Sequence, residues 1–231
     1  MTKEYANDAE LFALMKRDLY TAVVGDIMDK MGFVHQFLPP AVRPLRDDMV
    51  LVGRAMTVLE ADVFTESAPA ASSPLTNKPF GLMLEALDDL QSGEIYVASG
   101  ASPRYALWGE LMATRAKQLG AAGALVDGYA RDINGILAID FPVFAIGKYA
   151  QDQGPRGKVI DFRVPVEIGG IRIEPGMLLF GDQEGVLAVP REVEDEIIAR
   201  ALEKARGERL VGKAIREGMS AVEAFAKFGI M

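Results

Sequence analysis

The 231-residue chain has no cysteine, a single histidine and a single tryptophan. Without thiols there are no disulfides, no thiolate nucleophile and no cysteine-bound metal. His35 lies in a Phe/Pro-rich stretch with no nucleophile motif beside it, and no Gly-x-Ser-x-Gly occurs, so a Ser-His-Asp relay has no support. One imidazole also cannot build a zinc site of several histidines, which leaves a hard cation held by oxygens, Mg²⁺ or Mn²⁺, as the expected kind of metal. No apolar run approaches the roughly 18 residues of a membrane span. No Lys/Arg cluster interrupts a formal net charge of -8, which argues against a nucleic-acid partner because phosphate binding needs a basic surface. The first ten residues are too charged for a signal peptide, so a cytoplasmic protein is expected.

What the chain does contain is ordinary for a soluble globular protein with a substantial core: half its residues are hydrophobic and a quarter charged. Its chemistry is concentrated between Trp108 and Asp132. Leu111, Ala113, Ala116 and Leu119 recur at the helical period, and Gly120 suits the position just past a helix end. Ala124, Leu125 and Val126 then read as a short buried strand closed by Asp127-Gly128. This spacing puts Gly109, Glu110, Leu111 and Met112 in a first helical turn, whose N–H groups lack intrahelical partners and can receive a small anion. Arg131 and Asp132 fall just past the strand's carboxyl end, where α/β units bind ligands. A carboxylate could be held by amides on one side and by the Arg131 guanidinium on the other. The Arg-Asp pair alone carries no weight, since Arg17-Asp18 and Arg46-Asp47 repeat it. Its placement past the strand end is what sets this pair apart.

Around this stretch the pattern predicts helices from Asn7 to Lys16 and from a capping Thr21 to Gly32, and a strand from Met49 to Leu59 with Gly53-Arg54 as a bulge or a functional position. It further predicts an irregular loop from Asp62 to Pro79, a helix from Phe80 to Leu90 and a strand from Glu94 to Ala98. Next come a helical turn through Ile136, a strand Phe141 to Ala145, and one alternating strand Val159 to Ile168 entering a Gly169-Gly170 hairpin. Strands Met177 to Phe180 and Val186 to Val189 flank an acidic turn read as solvated. A long helix runs from Arg191 to Glu217, and Ser220 to Glu223 form a capping box for a last helix ending at Gly229. Without internal repeat or linker, residues 1–231 read as one α/β domain of layered sheets and helices, with N-terminal helices (about 7–32) and C-terminal helices (about 191–229) packing on it or on a neighbouring subunit.

Gly109-Glu110-Leu111-Met112, the run Gly123 to Gly128, Arg131-Asp132, Phe141-Pro142-Val143, Pro175-Gly176 and the run Gly181 to Pro190 resemble the RraA-like family, as does the tail Glu208 to Gly218 with Phe228-Gly229. That family includes 4-hydroxy-4-methyl-2-oxoglutarate aldolases and regulators of ribonuclease activity. The resemblance implies a β/β/α swivelling-type fold in homotrimers or homohexamers with sites between subunits. It implies that the amides of Gly109 to Met112 and Arg131 bind the carboxylate of a small 2-oxo acid, and that Asp132 carries Mg²⁺ or Mn²⁺. Glu110, and Glu208 from the next subunit, would position metal-bound waters; Glu110 stands where the family often has aspartate. The implied activity is that of a class II (retro-)aldolase releasing pyruvate, with oxaloacetate decarboxylation through the same enolate. The alternative is a non-catalytic regulator of a ribonuclease or helicase. A methyltransferase reading lacks a strand-linked Gly-x-Gly loop.

Overall fold

In the computed structural model of the chain, residues 3–63 and 78–230 are described. They divide into two compact units, a helical one of residues up to 34 with those from 192, and an α/β one of residues 35–191.

The helical unit holds α1 (Asp8–Asp18), α2 (Thr21–Lys30), α6 (Glu194–Arg216) and α7 (Ala221–Phe228). Asn7 caps α1 by accepting from the Glu10 amide at 3.0 Å. Thr21 does not cap α2 as expected: Tyr20 occupies the cap in extended conformation without a side-chain bond, and Thr21 enters the helix fully buried. Residues 191–193 form a 3-10 turn, so the long helix begins at Glu194. Ser220 and Glu223 make the reciprocal capping box, and Gly229 closes α7 in the left-handed region at φ 64°, as the sequence indicated.

The α/β unit is built on two central strands, β2 (Leu51–Asp62) and β5 (Gly123–Ala130), whose apolar runs are buried on both faces. Around them lie β1 (Arg43–Pro44), β3 (Glu94–Ser99), β4 (Ala106–Trp108), β6 (Val143–Lys148), β7 (Gly157–Phe162), β10 (Leu178–Asp182) and β11 (Gly185–Val189). The sheet order is β1-β6-β5-β3-β2-β10-β11, with β2, β3, β5 and β6 parallel. One edge of β2 is shared in tandem by β10 and β7, and one edge of β5 by β3 and then β4. The helices of this unit are α3 (Met83–Asp88), α4 (Glu110–Gln118) and α5 (Ile133–Ala138).

Several boundaries differ from the sequence reading. β5 does not stop at Asp127-Gly128: the pairing shifts there and resumes through Tyr129 and Ala130, so the dipeptide is a bulge within a longer strand. A Cβ on Gly128 would sit 2.8 Å from the Leu107 side chain, so glycine marks close strand approach rather than an end. Gly53 is not a bulge either; it is regularly paired, and a Cβ there would meet the Gly93 carbonyl at 2.6 Å. The irregularity of β2 lies at Leu59/Glu60. The expected strand Val159 to Ile168 is two, β7 and β8 (Val166–Ile168), because Arg163 turns to φ 54° while its guanidinium grips Glu94 at 2.8 and 2.9 Å. β8 pairs with β9 (Ile171–Ile173) across Gly169-Gly170, both at positive φ, as a two-residue hairpin requires. β4 was not anticipated, being three fully buried residues without period. The loop expected from Asp62 to Pro79 lies mostly outside the described residues.

Candidate active site

The tandem pairing along β5 positions the candidate site. Where β3 leaves off, β4 takes its place parallel to β5, with Trp108 opposite Ala130. Both strands end together, and the Arg131 amide donates to the Trp108 carbonyl at 2.9 Å. One exit leads to Gly109 and α4, the other to Arg131 and Asp132. The two segments singled out in the sequence therefore meet at the carboxyl ends of adjacent parallel strands.

Their approach is close enough to need glycine. A Cβ on Gly109 would lie 2.8 Å from Asp132 Oδ2 and 3.5 Å from Arg131 Nε. Gly109 is the N-cap of α4 and makes no side-chain cap, and the first intrahelical bond runs from the Ala113 amide to the Gly109 carbonyl at 3.0 Å. The amides of Glu110, Leu111 and Met112 thus precede the ladder. Glu110 N–H donates to Asp132 Oδ2 over a long 3.4 Å. Asp132 itself sits in the left-handed region at φ 58°, ψ 38°, which among residues with a Cβ aspartate and asparagine adopt most readily and which recurs at functional sites. Arg131 Nε lies 3.5 Å from Asp132 Oδ2, and its Nη1 is 2.7 Å from Asp152 Oδ1.

These groups form the polar end of a cavity of about 350 Å³. Phe80, Met83, Leu84 and Leu87 line one side, Leu111 and Met112 the other, and Trp108 is part of the lining. The two sides are tied by an Arg115–Asp88 ion pair at 2.8 Å between α4 and α3. Among the described residues, the charged members of the lining are Arg131, Asp132 and Asp152. Their formal sum is one negative charge.

Gly109, Leu111, Met112, Arg131 and Asp132 are brought together. The Glu110 backbone joins them, while its side chain lies over Gly135, where an added Cβ would be 2.1 Å from the Glu110 carboxyl carbon. Glu208 lies on α6 in the helical unit, bonded to Lys204 at 2.6 Å and receiving the Tyr20 hydroxyl. Asp152 and Gln153 were missed by sequence reasoning, since they sit in an irregular Gln-Asp-Gln-Gly run carrying no periodic signal. The α3 wall was read only as a helix.

Against the pocket lies a second polar group, fully buried. Gln153 lines the cavity and donates from Nε2 to Glu60 Oε1. Glu60 is 3% exposed, and its other oxygen, like the Trp108 indole nitrogen, has no partner among the described residues. Burial pushes the Glu60 carboxyl up to about 8, against the Gln153 hydrogen bond. Trp108 packs between Tyr96, at 5.0 Å between ring centroids, and Phe141, stacked at 6.1 Å.

The donor set fits a hard divalent cation. Mg²⁺ keeps several waters and needs one or two carboxylates, and Asp132 offers a half-exposed one. No group of three or more acidic, His or Cys residues that could cage a metal occurs among the described residues, so Asp132 would share such an ion with water and substrate oxygens. The charge argues the same way. A cluster of net charge minus one repels an anion, and a divalent cation reverses its sign.

A family model described as RraA-like, Aldolase/RraA, matches residues 21–188. The chain belongs to the RraA-like family. A Halalkalibacterium halodurans protein named "Putative 4-hydroxy-4-methyl-2-oxoglutarate aldolase" is 29% identical to this RraA-like chain over 216 residues, covering 93% of each. A solved structure of an uncharacterized Pseudomonas syringae protein superposes with a TM-score of 0.77 at 28% identity, over 95% of this chain and 99% of that one. Streptomyces coelicolor RraAS2, described as an unusual member of the RNase ES inhibitor RraA protein family, matches with a TM-score of 0.74 at 22% identity, over 89% and 97% of the two chains. The last likeness is one of fold alone. Among the described residues no helix is long and apolar enough to cross a membrane.

Proposed function

We propose that this RraA-like protein is a divalent-metal-dependent (retro-)aldolase that cleaves 4-hydroxy-2-oxo acids to release pyruvate and decarboxylates oxaloacetate in the same site. The observation that carries the reading is the meeting of Arg131 and Asp132 with the first turn of α4 at the polar end of a cavity. The name of the H. halodurans relative supports it.

In this reading the amides of Leu111 and Met112 receive the substrate carboxylate, helped by the positive end of α4. A bound Mg²⁺ or Mn²⁺, held by Asp132, would supply Lewis-acid polarisation of the keto group. As the C3–C4 bond breaks, its electron pair moves toward the C2 oxygen, and Arg131 donates hydrogen bonds to the charge that develops there. Asp152 holds Arg131 in place for this. Protonation at C3 completes pyruvate, and oxaloacetate reaches the same enolate by losing carbon dioxide. The 4-hydroxyl proton leaves through a water positioned by Glu110 or by Glu208 of the next subunit, as the resemblance implies; both carboxylates would turn from Gly135 or from Lys204 and Tyr20 to do so.

The test is a panel of 2-oxo acids assayed for pyruvate with Mg²⁺, with chelator, and with Asp132→Asn. Asparagine tolerates the left-handed backbone, so this change removes the charge and leaves the turn. Release of pyruvate that chelator abolishes, and that Asp132→Asn lowers roughly a hundred- to a thousandfold, is expected. Undiminished turnover in Asp132→Asn would remove the metal assignment, and a folded wild type inert toward the whole panel would leave the regulator reading in its place.

A further inference from the structure

We infer that the substrate of this pocket is a 4-hydroxy-2-oxo acid carrying a single carboxylate, with an apolar aliphatic or aromatic group on C4. The inference rests on the aldolase reading for the reaction, and on the pocket's composition for the rest.

The cavity is polar at one end only. Beyond Arg131, Asp132, Asp152 and Gln153, its described lining is hydrocarbon and aromatic, from Phe80, Met83, Leu84 and Leu87 on one side to Leu111 and Met112 on the other. Arg131 is the one cation in that lining, and Asp132 and Asp152 already face it.

A second carboxylate at the far end of the substrate would enter this apolar wall unpaired, where desolvation strongly disfavours it. A phenyl or branched alkyl group would instead remove apolar surface from water on both partners. The volume of about 350 Å³ admits a 2-oxo acid of that size. Leu84 and Leu111 are 56% and 84% exposed, so this part of the wall is open to solvent along the chain's own surface.

The reaction balances without a further reactant. The 4-hydroxyl loses its proton, C4 becomes the carbonyl carbon of an apolar aldehyde or ketone, the C3–C4 electron pair becomes the enolate, and C3 takes a proton to give pyruvate.

The single tryptophan lines this pocket, so its fluorescence reports binding without turnover. The experiment uses the full chain with Mg²⁺. It compares kcat/KM for 4-hydroxy-2-oxo acids bearing phenyl, isopropyl or carboxymethyl groups at C4, and titrates Trp108 fluorescence with phenylpyruvate and with 2-oxoglutarate. The apolar members are expected to lead the dicarboxylate by at least about tenfold in both readouts. Leu84→Arg, which puts a cation at an exposed position, is expected to close that gap by improving the dicarboxylate. Pyruvate release with the dicarboxylate equal or preferred overturns this inference and leaves the aldolase standing. Pyruvate from no member overturns the aldolase reading, and the fluorescence ratio then decides the pocket's preference by itself: tenfold tighter phenylpyruvate sustains it, equal affinities overturn it.

Discussion

Two carboxyl groups lie on the two sides of the loop at 152–153, and they meet opposite fates. Asp132 is half exposed, faces Arg131 and an α4 amide, and stands where strand ends open into a cavity. Glu60 is enclosed in the sheet with only the Gln153 amide on one oxygen, and burial raises its pKa to about 8. The residue types differ by one methylene. Access to water and a positive neighbour set the surroundings of Asp132 apart, whereas burial favours the protonated form of Glu60 at neutral pH. Gln153 touches both the cavity and Glu60, so the two environments are one side chain apart.

The comparison can be broken at its functional end first. Arg131→Lys keeps the charge but loses the planar fork that faces Asp132 and Asp152, and pyruvate release is expected to fall by about a hundredfold with the fold intact by circular dichroism. Activity within twofold of wild type would mean that a point charge suffices, and the part given to Arg131 would be lost.

The buried end is sharpened by Glu60→Gln. Between the ordinary carboxyl value of 4.5 and about 8, the folded protein retains a proton that the unfolded chain has released. Stability contributed by the neutral acid is therefore full below 4.5 and lost as pH rises through 8, on the order of a few kcal/mol in all. Glutamine still accepts from Gln153 and never ionises. Its melting temperature should match wild type near pH 5 and exceed it by several degrees at pH 9; parallel curves would show that Glu60 titrates normally.

The smallest effect is expected at the ion pair joining the pocket's two sides. Asp88 is exposed and Arg115 partly so, and Asp88→Ala should therefore cost less than about 1 kcal/mol in chemical denaturation. A KM change below about threefold is expected with it. A larger KM effect would make the separation of α3 and α4 a determinant of binding.

How far the sequence carried depends on whether the signal was local. The capping box at Ser220, the hairpin at Gly169-Gly170 and the start of α4 at Gly109 were legible because each is fixed by residues within a few positions of one another. The neighbourhood of Gly109 with Arg131 and Asp132 was legible too, since a strand-to-helix spacing places both at one end of the unit. β5 was cut short at Asp127-Gly128 because a bulge and a strand end use the same residues, and only the pairing with β4 and β6 distinguishes them. The α7 signal was equally strong, yet Glu208 on the neighbouring helix gave no sign that Lys204 and Tyr20 would engage it.

The α/β class, the family, the absence of thiol and multi-imidazole chemistry, and the position of the first turn of α4 follow from composition and from contacts close along the chain, and so were fixed before any folding was considered. The tertiary structure alone decided that Asp152 would hold Arg131, that α3 would furnish an apolar wall, and that Glu60 would be sealed behind Gln153. Those pairings span from about 20 to more than 90 residues, and nothing in a local pattern encodes which distant side chain will share a dielectric, a charge or a cavity.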